Sequence, residues 1–242
     1  MSDKIKTYRS IFISDVHLGS KGSNADLLLK TLKKYKFKNL IIVGDFIDGW
    51  LLKRRYHWPE SHTKVLKRIL KISKGKTNIF YITGNHDEFL REYGKIEFGQ
   101  ITVCDELIYK DFFITHGDLY DPIIKNGRLI SILGSWGYEV TLVLNKIQNK
   151  VRLFLGLRPY SFSKFIKKSV KEASVFIGNF EKLLSEAAQK RGCSGVICGH
   201  IHTPEDKFIN GIRYLNCGDW IENNSYIVEI ENKFEIRYYE NV

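Results

Sequence analysis

Five short apolar runs recur along the 242-residue chain, and each of them ends in a cluster of Asp, Asn or His. They are rich in Ile, Val and Phe, which is typical of short buried β-strands. A fold built from this chain must therefore bring the ends of several buried strands, with their polar clusters, to the edges of its sheets. The runs are SIFISD (10–15), NLIIVGD (39–45), NIFYITGNHD (78–87), FFITHGD (112–118) and GVICGH (195–200).

Helical segments lie between the early strands, at about residues 24–36 and 60–73. The second segment carries Val65, Leu66 and Ile69 at helical spacing. Alternating strands and helices indicate an α/β layered fold. Residues 207–239 contain four short strand-like segments separated by Gly and Asn turns, which predicts antiparallel strands that form a second sheet against the first.

Residues 119–192 interrupt the strand pattern, and we expect them to form a helical insertion within a single domain of residues 1–242. Helices are predicted at about 126–149 and 162–190, and in the second of them apolar residues recur at spacings of three and four. The sequence shows no internal repeat, no low-complexity tract and no clear interdomain linker.

Composition restricts the partners and the cellular setting. The chain has a net charge of +11 and a sequence pI near 9.3, which indicates a polyanionic partner (nucleic acid, anionic lipid or a phosphorylated substrate) unless it reflects a lysine-rich proteome. No apolar run approaches the roughly 18 residues of a membrane span, and the N-terminus has no signal-peptide-like apolar stretch. We therefore expect a cytoplasmic protein whose four cysteines are reduced.

The polar clusters have the composition of a metal site. They form D-x-H at residues 15–17, G-D-x-x-D at 44–48, G-N-H-D at 84–87, H-G-D at 116–118 and G-H-x-H at 199–202, and they hold five of the seven histidines. Loops at the carboxyl ends of strands converge, so these residues can meet in space. Carboxylate, imidazole and amide ligands suit Mn, Fe(II) or Zn rather than Ca. The candidate ligands are Asp15, His17, Asp45, Asn85, His116, His200 and His202.

This set exceeds the needs of one metal ion, so a carboxylate that bridges two ions would use it fully. Two divalent ions about 3.5–4 Å apart can activate water and clamp phosphoryl oxygens, which is a template for phosphate-ester hydrolysis. Taken singly, each cluster is also explained as a turn, a helix cap or a structural histidine. All five in this order, each after an apolar run, favour a metal centre. His57 and His62 lack such context and are expected to be surface or helix residues.

This ordered set of motifs resembles the calcineurin-like metallophosphoesterases, and the motifs extend over residues 15–202. The resemblance implies a four-layer α/β/β/α sandwich of two sheets, with a dinuclear metal site at its loop end. It also implies that His86 stabilises the phosphate or protonates the leaving group, and that Asp87 orients His86. Carried over residue by residue, Asp15, His17 and His202 hold one metal, Asn85, His116 and His200 hold the other, and Asp45 bridges them.

A narrower resemblance covers nearly the whole chain and rests on HGDLYD, GSWGYE, VRLFLGL, SFSKFIKKSVKEA and the closing YLNCGDWIENNSYIVEI. These segments are similar to the UDP-2,3-diacylglucosamine diphosphatase group, which cleaves the pyrophosphate of a UDP-linked diacyl sugar to UMP and a lipid sugar phosphate in lipid A synthesis. The resemblance implies two Mn ions, with Fe or Zn as alternatives, and a helical insertion that covers the acyl chains. The best-known members of the group carry Arg at the position of His86, so this chain looks closer to a wider branch whose substrates are less defined.

Residues 146–171 combine eight basic residues and no acidic one with large apolar neighbours. This mixture suits an anionic lipid surface and predicts peripheral association with the inner membrane, around a nucleotide-linked lipid substrate. Two alternatives stay open: the apolar residues pack the insertion onto the core while the lysines solvate it, or the segment binds single-stranded nucleic acid, a less favoured partner. The candidate contact residues are Lys164, Lys167, Lys168, Lys171, Phe154 and Phe165.

The leading hypothesis is therefore a dinuclear-metal hydrolase that acts on the pyrophosphate of a nucleotide-linked lipid. A general phosphodiesterase or nuclease would share the metal site but not a lipid-facing insertion. A non-enzymatic scaffold of the same fold would have lost ligands or the catalytic histidine, and none of these is missing from the sequence.

Overall fold

The structure, a computed structural model, describes residues 7–121 and 163–239, which form two β-sheets and their covering helices. In chain order the strands are β1 Thr7–Ile13, β2 Lys36–Val43, β3 Asn78–Ile82, β4 Ile96–Phe98, β5 Ile101–Cys104, β6 Glu106–Tyr109, β7 Phe112–Thr115, β8 Gly195–Cys198, β9 Glu205–Ile209, β10 Ile212–Asn216, β11 Ser225–Ile230 and β12 Lys233–Tyr238. The helices are α1 Ala25–Lys34, α2 Gly49–Arg54, α3 Glu60–Ser73 and α4 Ser163–Lys190, with short 3-10 helices at Glu88–Tyr93 and Asp118–Tyr120.

The two sheets both have parallel strands at their centres. The seven-stranded sheet has the order β12-β11-β1-β2-β3-β5-β4, in which β1, β2, β3 and β5 are parallel. The five-stranded sheet has the order β6-β7-β8-β10-β9, in which β7, β8 and β10 are parallel. A hydrogen bond of 3.0 Å from His200 N to Asp15 Oδ2 joins the loops after β8 and β1. The carboxyl ends of parallel strands from both sheets therefore meet at one edge of the sandwich.

The closing strands differ from the prediction that they form a second sheet together. β9 and β10 do pair in the five-stranded sheet, but β11 and β12 join the seven-stranded sheet, where Glu229 lies opposite Ser10 on antiparallel β1. That part of the prediction is wrong, and burial gives the reason. Ser225–Ile230 is buried at five of its six positions, as a strand between two neighbours in a covered sheet must be.

Alternation along β1 divides the apolar core into two layers. Phe12 faces the second sheet and belongs to a buried cluster with Ile114 and Ile197. Ile11 and Ile13 face the opposite way, toward α1 and α3. Each fully buried side chain of this kind contributes about 1.5–3 kcal/mol, so the two layers hold the strands that carry the polar clusters firmly. The layer that contains Ile11 and Ile13 also includes four side chains from α1 and α3, which are Leu28, Leu32, Val65 and Ile69.

The C-terminal part of α4 covers the outer face of the second sheet. Leu184 and Ala188 are fully buried, and the guanidinium carbon of Arg191, just beyond α4, lies 4.2 Å from the centre of the Phe113 ring. Phe113 alternates with Ile114, which faces the first sheet, so the helix end lies on the opposite side of β7. The predicted four-layer α/β/β/α sandwich is therefore confirmed for the described residues.

The chain divides into two compact units, one of residues 1–118 with 184–242 and the other of residues 119–183. The helix predicted at about 162–190 is confirmed as α4, which has 28 residues. The helix predicted at 126–149 lies outside the described residues, and the insertion over 119–192 in a single domain stays a prediction. Within the described part of the chain, none of the helices combines the length and the hydropathy that crossing a bilayer requires.

Candidate metal centre

The predicted ligands lie in five loops that leave the sandwich at the same edge. Strands β1, β2 and β3 end at Ile13, Val43 and Ile82, and strands β7 and β8 end at Thr115 and Cys198. Each polar cluster starts within three residues of its strand end, where the chain leaves the apolar layers but is still largely buried. The residues placed in this way are Asp15, His17, Asp45, Asn85, His116, His200 and His202.

Side chains of these loops face one another at short range. Asp15 Oδ1 lies 3.1 Å from His202 Nε2 and 3.6 Å from His17 Nε2. Asp45 Oδ2 lies 3.2 Å from His116 Nε2 and 3.8 Å from His17 Nε2. Asp15, His17 and His202 thus form one group of possible ligands and Asp15, Asp45 and His116 another, each within 4.8 Å. Asp45 lies within 4 Å of an imidazole from each group, and its bridging role stays a prediction.

Asn85 and His200 lie beside these two groups. Asn85 is buried, and its Oδ1 has no hydrogen-bond partner among the described residues. The imidazole of His200 lies 5.2 Å, centre to centre, from that of His116. Ser14 Oγ and His200 N both donate to Asp15 Oδ2, at 2.6 and 3.0 Å, which leaves Oδ1 of the same carboxylate turned toward the site.

Three of the histidines present the same ring nitrogen to the site. In each of them Nδ1 faces an oxygen acceptor, so in the neutral imidazole Nδ1 would carry the hydrogen and Nε2 would offer its lone pair to a metal ion. This arrangement fixes the tautomer and the ring orientation of a metal-binding histidine. The acceptors are Val43 O for His116 at 2.9 Å, Asp48 Oδ2 for His17 at 3.4 Å and Asp219 Oδ2 for His202 at 3.6 Å.

Unsatisfied atoms concentrate at this point of the molecule. Within residues 7–121 and 163–239, six buried side-chain N or O atoms have no hydrogen-bond partner, and four of them belong to predicted ligands. An unsatisfied buried polar group costs about 1–3 kcal/mol, so such a cluster needs a compensating partner. Divalent cations would supply that partner, and the donor types fit Mn, Fe(II) or Zn. The four atoms are Asp15 Oδ1, His17 Nε2, Asn85 Oδ1 and His116 Nε2.

Protons on the histidines supply the positive charge beside the carboxylates when the site holds no metal. Burial alone would raise the pKa of Asp45, but the imidazole of His116 beside it lowers that pKa to about 2. Burial would likewise lower the pKa of His17, yet its contacts with the carboxylates of Asp15 and Asp48 raise it to about 10. Metal ligation requires neutral imidazoles, so metal binding must release protons from this cluster.

The backbone of the ligand loops is held in the left-handed region. This conformation costs a residue with a side chain about 1–3 kcal/mol, and it persists only where the surrounding structure enforces it. Hydrogen bonds from His17 N to Asp45 O at 2.9 Å and from Trp220 N to Asp15 O at 3.0 Å supply part of that support. The φ angles are 52° for Asp15, 50° for His17, 51° for Asp45, 72° for His200 and 53° for His202.

Two motif glycines let neighbouring loops approach one another. Gly44, in G-D-x-x-D, has a φ of 80°, and a Cβ at this position would overlap the imidazole of His116. Gly84, in G-N-H-D, has the carboxylate and backbone N of Asp45 where its Cβ would lie. The glycines of both motifs thus have a steric role: they allow ligands from separate strands to share one site.

His86 lies at the rim of the site and is oriented by Asp48. Its Nδ1 is 3.0 Å from Asp48 Oδ1, and its Nε2 is 4.0 Å from Asp45 Oδ2. Because a carboxylate only accepts, Nδ1 carries the hydrogen and Nε2 faces the predicted metals. His86 also forms a third group of possible ligands with His17 and Asp45. Its place permits either proton donation or ligation, which metal analysis of a variant can separate.

Asp87 does not make the contact that the resemblance implies. Its carboxylate accepts from Phe46 N at 2.9 Å, from Tyr81 Oη at 2.7 Å and from Gly84 N. Burial and the nearby charge of Asp45 raise the pKa of Asp87. The implied role of orienting His86 is therefore corrected: Asp48 has that role, and Asp87 fixes the turn that carries Asn85 and His86 against the loop after β2.

Two acidic residues that support the site had no role predicted from the sequence. Asp48 contacts both His17 and His86. Its place as the second Asp of the G-D-x-x-D motif was the sequence feature that could have indicated this role. Asp219 stands behind His202, and its Oδ1 accepts from Ile221 N at 2.8 Å, which shapes the loop after β10. The sequence does contain an indication of it, because NCGD is the third place where Gly-Asp follows a strand.

The other expectations have different outcomes. His62 lies in a helix as expected, but it is buried rather than on the surface, and its Nδ1 accepts from Gly19 N at 3.0 Å.

All four cysteines are free, as predicted. Phe154 lies outside the described residues, and the side chains at the start of α4 are likewise not described. Contact roles there stay predictions for Lys164, Lys167, Lys168, Lys171 and Phe165.

The chain belongs to the calcineurin-like phosphoesterase family, whose model matches residues 8–204. The matched range contains all five polar clusters, from Asp15 to His202, so the resemblance and the prediction of an enzyme are confirmed. Enzymes of this family use divalent metals, and the buried cluster around Asp15 and Asp45 offers the residues to hold them. The protein is therefore a hydrolase of the metallophosphoesterase type.

Curated relatives extend the similarity over nearly the whole chain. UDP-2,3-diacylglucosamine hydrolase of Porphyromonas gingivalis is 29% identical over 251 residues, which cover 90% of this chain and 92% of the relative. The protein of the same name from Shewanella halifaxensis is 24% identical and covers 94% of this chain and 97% of its own. Among solved structures, the phosphoesterase Yfce from E. coli covers 95% of this chain and 92% of its own, at 16% identity and a TM-score of 0.48.

Proposed function

We propose that this enzyme hydrolyses the pyrophosphate bond of UDP-2,3-diacylglucosamine, or of a closely related nucleotide-linked lipid, to UMP and a lipid sugar phosphate in lipid A synthesis. The observation that carries the chemistry is the convergence of four buried, unsatisfied ligand atoms at the carboxyl ends of the strands. Support for the substrate comes from relatives named for it, which align over 90% and 94% of this chain.

The proposed mechanism divides the work between the ligand cluster and His86. Divalent cations, when bound, supply Lewis acidity toward phosphoryl oxygens and offset the charge that develops on them. When both of its ring nitrogens carry hydrogen, His86 donates from Nε2, which faces the same space, to the oxygen that leaves as water adds to phosphorus and the P–O bond breaks. Asp48 accepts from Nδ1 and keeps the imidazole in the orientation that this donation needs. Asp87 contributes indirectly, by fixing the turn that carries His86.

The cofactor part of the proposal is two Mn ions, with Fe or Zn as alternatives, because carboxylate, imidazole and amide oxygen suit these metals. The proposal also includes peripheral association with the cytoplasmic face of the inner membrane, since the acyl chains of the substrate belong in a bilayer. Lys53, Arg54 and Arg55 are exposed at the end of α2, which starts beside His86, and they support an anionic partner at this side of the site.

An assay with three substrates tests the function. Mn-loaded protein is given UDP-2,3-diacylglucosamine, a UDP-sugar without acyl chains and bis(p-nitrophenyl) phosphate. Because each buried CH₂ contributes about 0.8 kcal/mol, kcat/KM for the diacyl substrate should exceed that for the plain UDP-sugar on the order of 10²-fold or more. Asp45→Ala should abolish every activity, and Asp26→Ala, on the exposed face of α1, is its matched control. Equal rates for all three substrates would instead indicate a general phosphodiesterase.

A second experiment tests the membrane-facing role of the insertion. Each lysine near an anionic surface contributes about 1 kcal/mol, so replacing four by Gln should weaken binding to phosphatidylglycerol vesicles on the order of 10²-fold or more. Hydrolysis of bis(p-nitrophenyl) phosphate should hardly change. Unaltered vesicle binding would contradict the role. The lysines to replace are Lys164, Lys167, Lys168 and Lys171. The matched control replaces four exposed lysines of α1 and α3: Lys30, Lys33, Lys67 and Lys71.

The same insertion is proposed to receive the acyl chains. Trimming Phe154 and Phe165 to Ala should raise KM for the diacyl substrate much more than KM for its deacylated form, because only the diacyl form loses apolar contact. If both substrates suffer equally, the insertion is a structural cover and the lipid assignment fails, while the metal site is unaffected by that result.

A further inference from the structure

The imidazole of His86 lies against an indole ring. The ring centres of Trp50 and His86 are 4.3 Å apart, and their planes are inclined by 35°. The same imidazole has Asp48 Oδ1 at its Nδ1, and the ring of His17 lies edge-on at 4.6 Å. His86 is thus held at one atom by a hydrogen bond and along its ring by the face of Trp50.

Trp50 is itself fixed to the segment that carries His86. Gly49 N donates to His86 O at 3.0 Å, and Trp50 Nε1 donates to Glu88 Oε1 at 3.3 Å. A Cβ on Gly49 would lie 2.8 Å from His86 O, so this close approach requires glycine. The start of α2 and the chain around His86 are therefore tied together on both sides of the indole.

A single hydrogen bond leaves the plane of an imidazole undetermined. Asp48 fixes the position of Nδ1, but the ring can still pivot about that contact. The side chain of His86 is 24% exposed, so close packing on all sides does not fix the plane either. An aromatic face at stacking distance restricts this motion, because offset aromatic contacts prefer a limited range of ring orientations.

We propose that Trp50 is a positioning residue that holds the His86 imidazole with Nε2 directed at the oxygen that leaves the phosphorus. The inference rests on the proposed function, in which His86 serves that oxygen. One stretch, GDFIDGW, then supplies three parts of the site: Asp45 lies among the metal ligands, Asp48 accepts from the imidazole and Trp50 fixes its plane.

Two substitutions separate the stacking surface from the bulk of the side chain. Trp50→Phe keeps an aromatic face, whereas Trp50→Leu keeps apolar volume without one. A misplacement of about 1 Å can cost on the order of 10²-fold, so we expect Trp50→Leu to lower kcat about 10- to 100-fold at nearly constant KM. Trp50→Phe should recover most of that loss, and the content of bound Mn should be unchanged in both. Bis(p-nitrophenyl) phosphate is the substrate, so the result does not depend on the lipid.

Controls keep this role distinct from a structural one. Trp58→Leu removes another partly buried indole, which donates to Thr63 Oγ1 at 3.1 Å, and it should leave kcat unchanged. In a His86→Ala background, Trp50→Leu should have no further effect on kcat, because no imidazole remains to be held.

The outcomes that overturn the inference differ from those that overturn the proposed function. A large loss for His86→Ala with none for Trp50→Leu removes only the positioning role. A Trp50→Leu loss that persists without His86, that affects KM alone, or that Trp50→Phe does not relieve also removes it. Unchanged kcat in His86→Ala removes the proposed role of His86 and the positioning role together.

Discussion

The place of Asp45 between the two ligand groups depends on the absence of a side chain at Gly84. An ideal Cβ on Gly84 would lie 2.6 Å from Asp45 N and 2.9 Å from Asp45 Cγ. Carbon atoms reach favourable contact only at about 3.5–4.0 Å, so the Cβ–Cγ distance alone requires Gly84→Ala to separate the two loops by about 0.6–1.1 Å. Metal sites tolerate errors of only about 0.2 Å in ligand distance. We therefore expect Gly84→Ala to bind at most one ion and to lose nearly all turnover.

The assay is metal content by mass spectrometry, with turnover and thermal unfolding measured in parallel. Overpacking costs about 1–3 kcal/mol, which for a chain of this size lowers the metal-free Tm by about 2–12 °C. Gly178→Ala is the matched control, since its Cβ meets no atom within 4 Å. It lies within α4, where Ala is favoured over Gly by about 0.5–1 kcal/mol, so metal binding should stay intact. Two bound ions and wild-type turnover in Gly84→Ala would refute the steric argument.

Three further predictions concern single contacts of the site. Asp48→Asn should lower kcat or Mn affinity about 10- to 100-fold, because His86 and His17 lose a charged acceptor; unchanged values in paired kinetic and binding assays would contradict this. His202 has a φ of 53°, so in urea denaturation of the metal-free protein His202→Gly should be about 1 kcal/mol more stable than His202→Ala, and the reverse order would count against left-handed strain. Contacts with Asp15 and Asp48 raise the pKa of His17 to about 10 against the effect of burial, so protons compete with metal below that pH and Mn affinity should rise with pH. Calorimetric titrations in HEPES and Tris should then give different observed heats, because the two buffers have different ionisation enthalpies and take up at least one released proton. Equal observed heats in the two buffers would show that none is displaced.

The strand ends that carry the site could be predicted because burial and chemistry leave a local pattern in the chain. β1, β2, β3, β7 and β8 are short apolar runs, and the polar residues start where each run leaves the core. Parallel strands covered on both faces are apolar throughout, so their ends are visible without knowledge of the pairing. The ligand types are adjacent to those ends, which is why the metal cluster could be identified from the sequence.

Contacts between residues that are far apart in the sequence could not be predicted from the local sequence pattern. Asp87 is adjacent to His86, yet its carboxylate turns back to Gly84 and Phe46, while Asp48 reaches the imidazole from 38 residues away. The choice of sheet for β11 likewise depends on burial against β1 rather than on its own pattern. His62 did carry a usable signal, since it lies three residues before Val65 on the buried face of α3.

Two divalent ions at the common edge of the sheets, with Asp45 between them, are the central element of the proposed function. A crystal structure of the Mn-loaded protein with anomalous difference density at the Mn absorption edge tests this most directly. We predict two peaks about 3.5–4 Å apart, both in contact with Asp45. One should lie against Asp15, His17 and His202, and the other against Asn85, His116 and His200. A single peak, or peaks held by His86 or by residues outside this set, would contradict the dinuclear assignment.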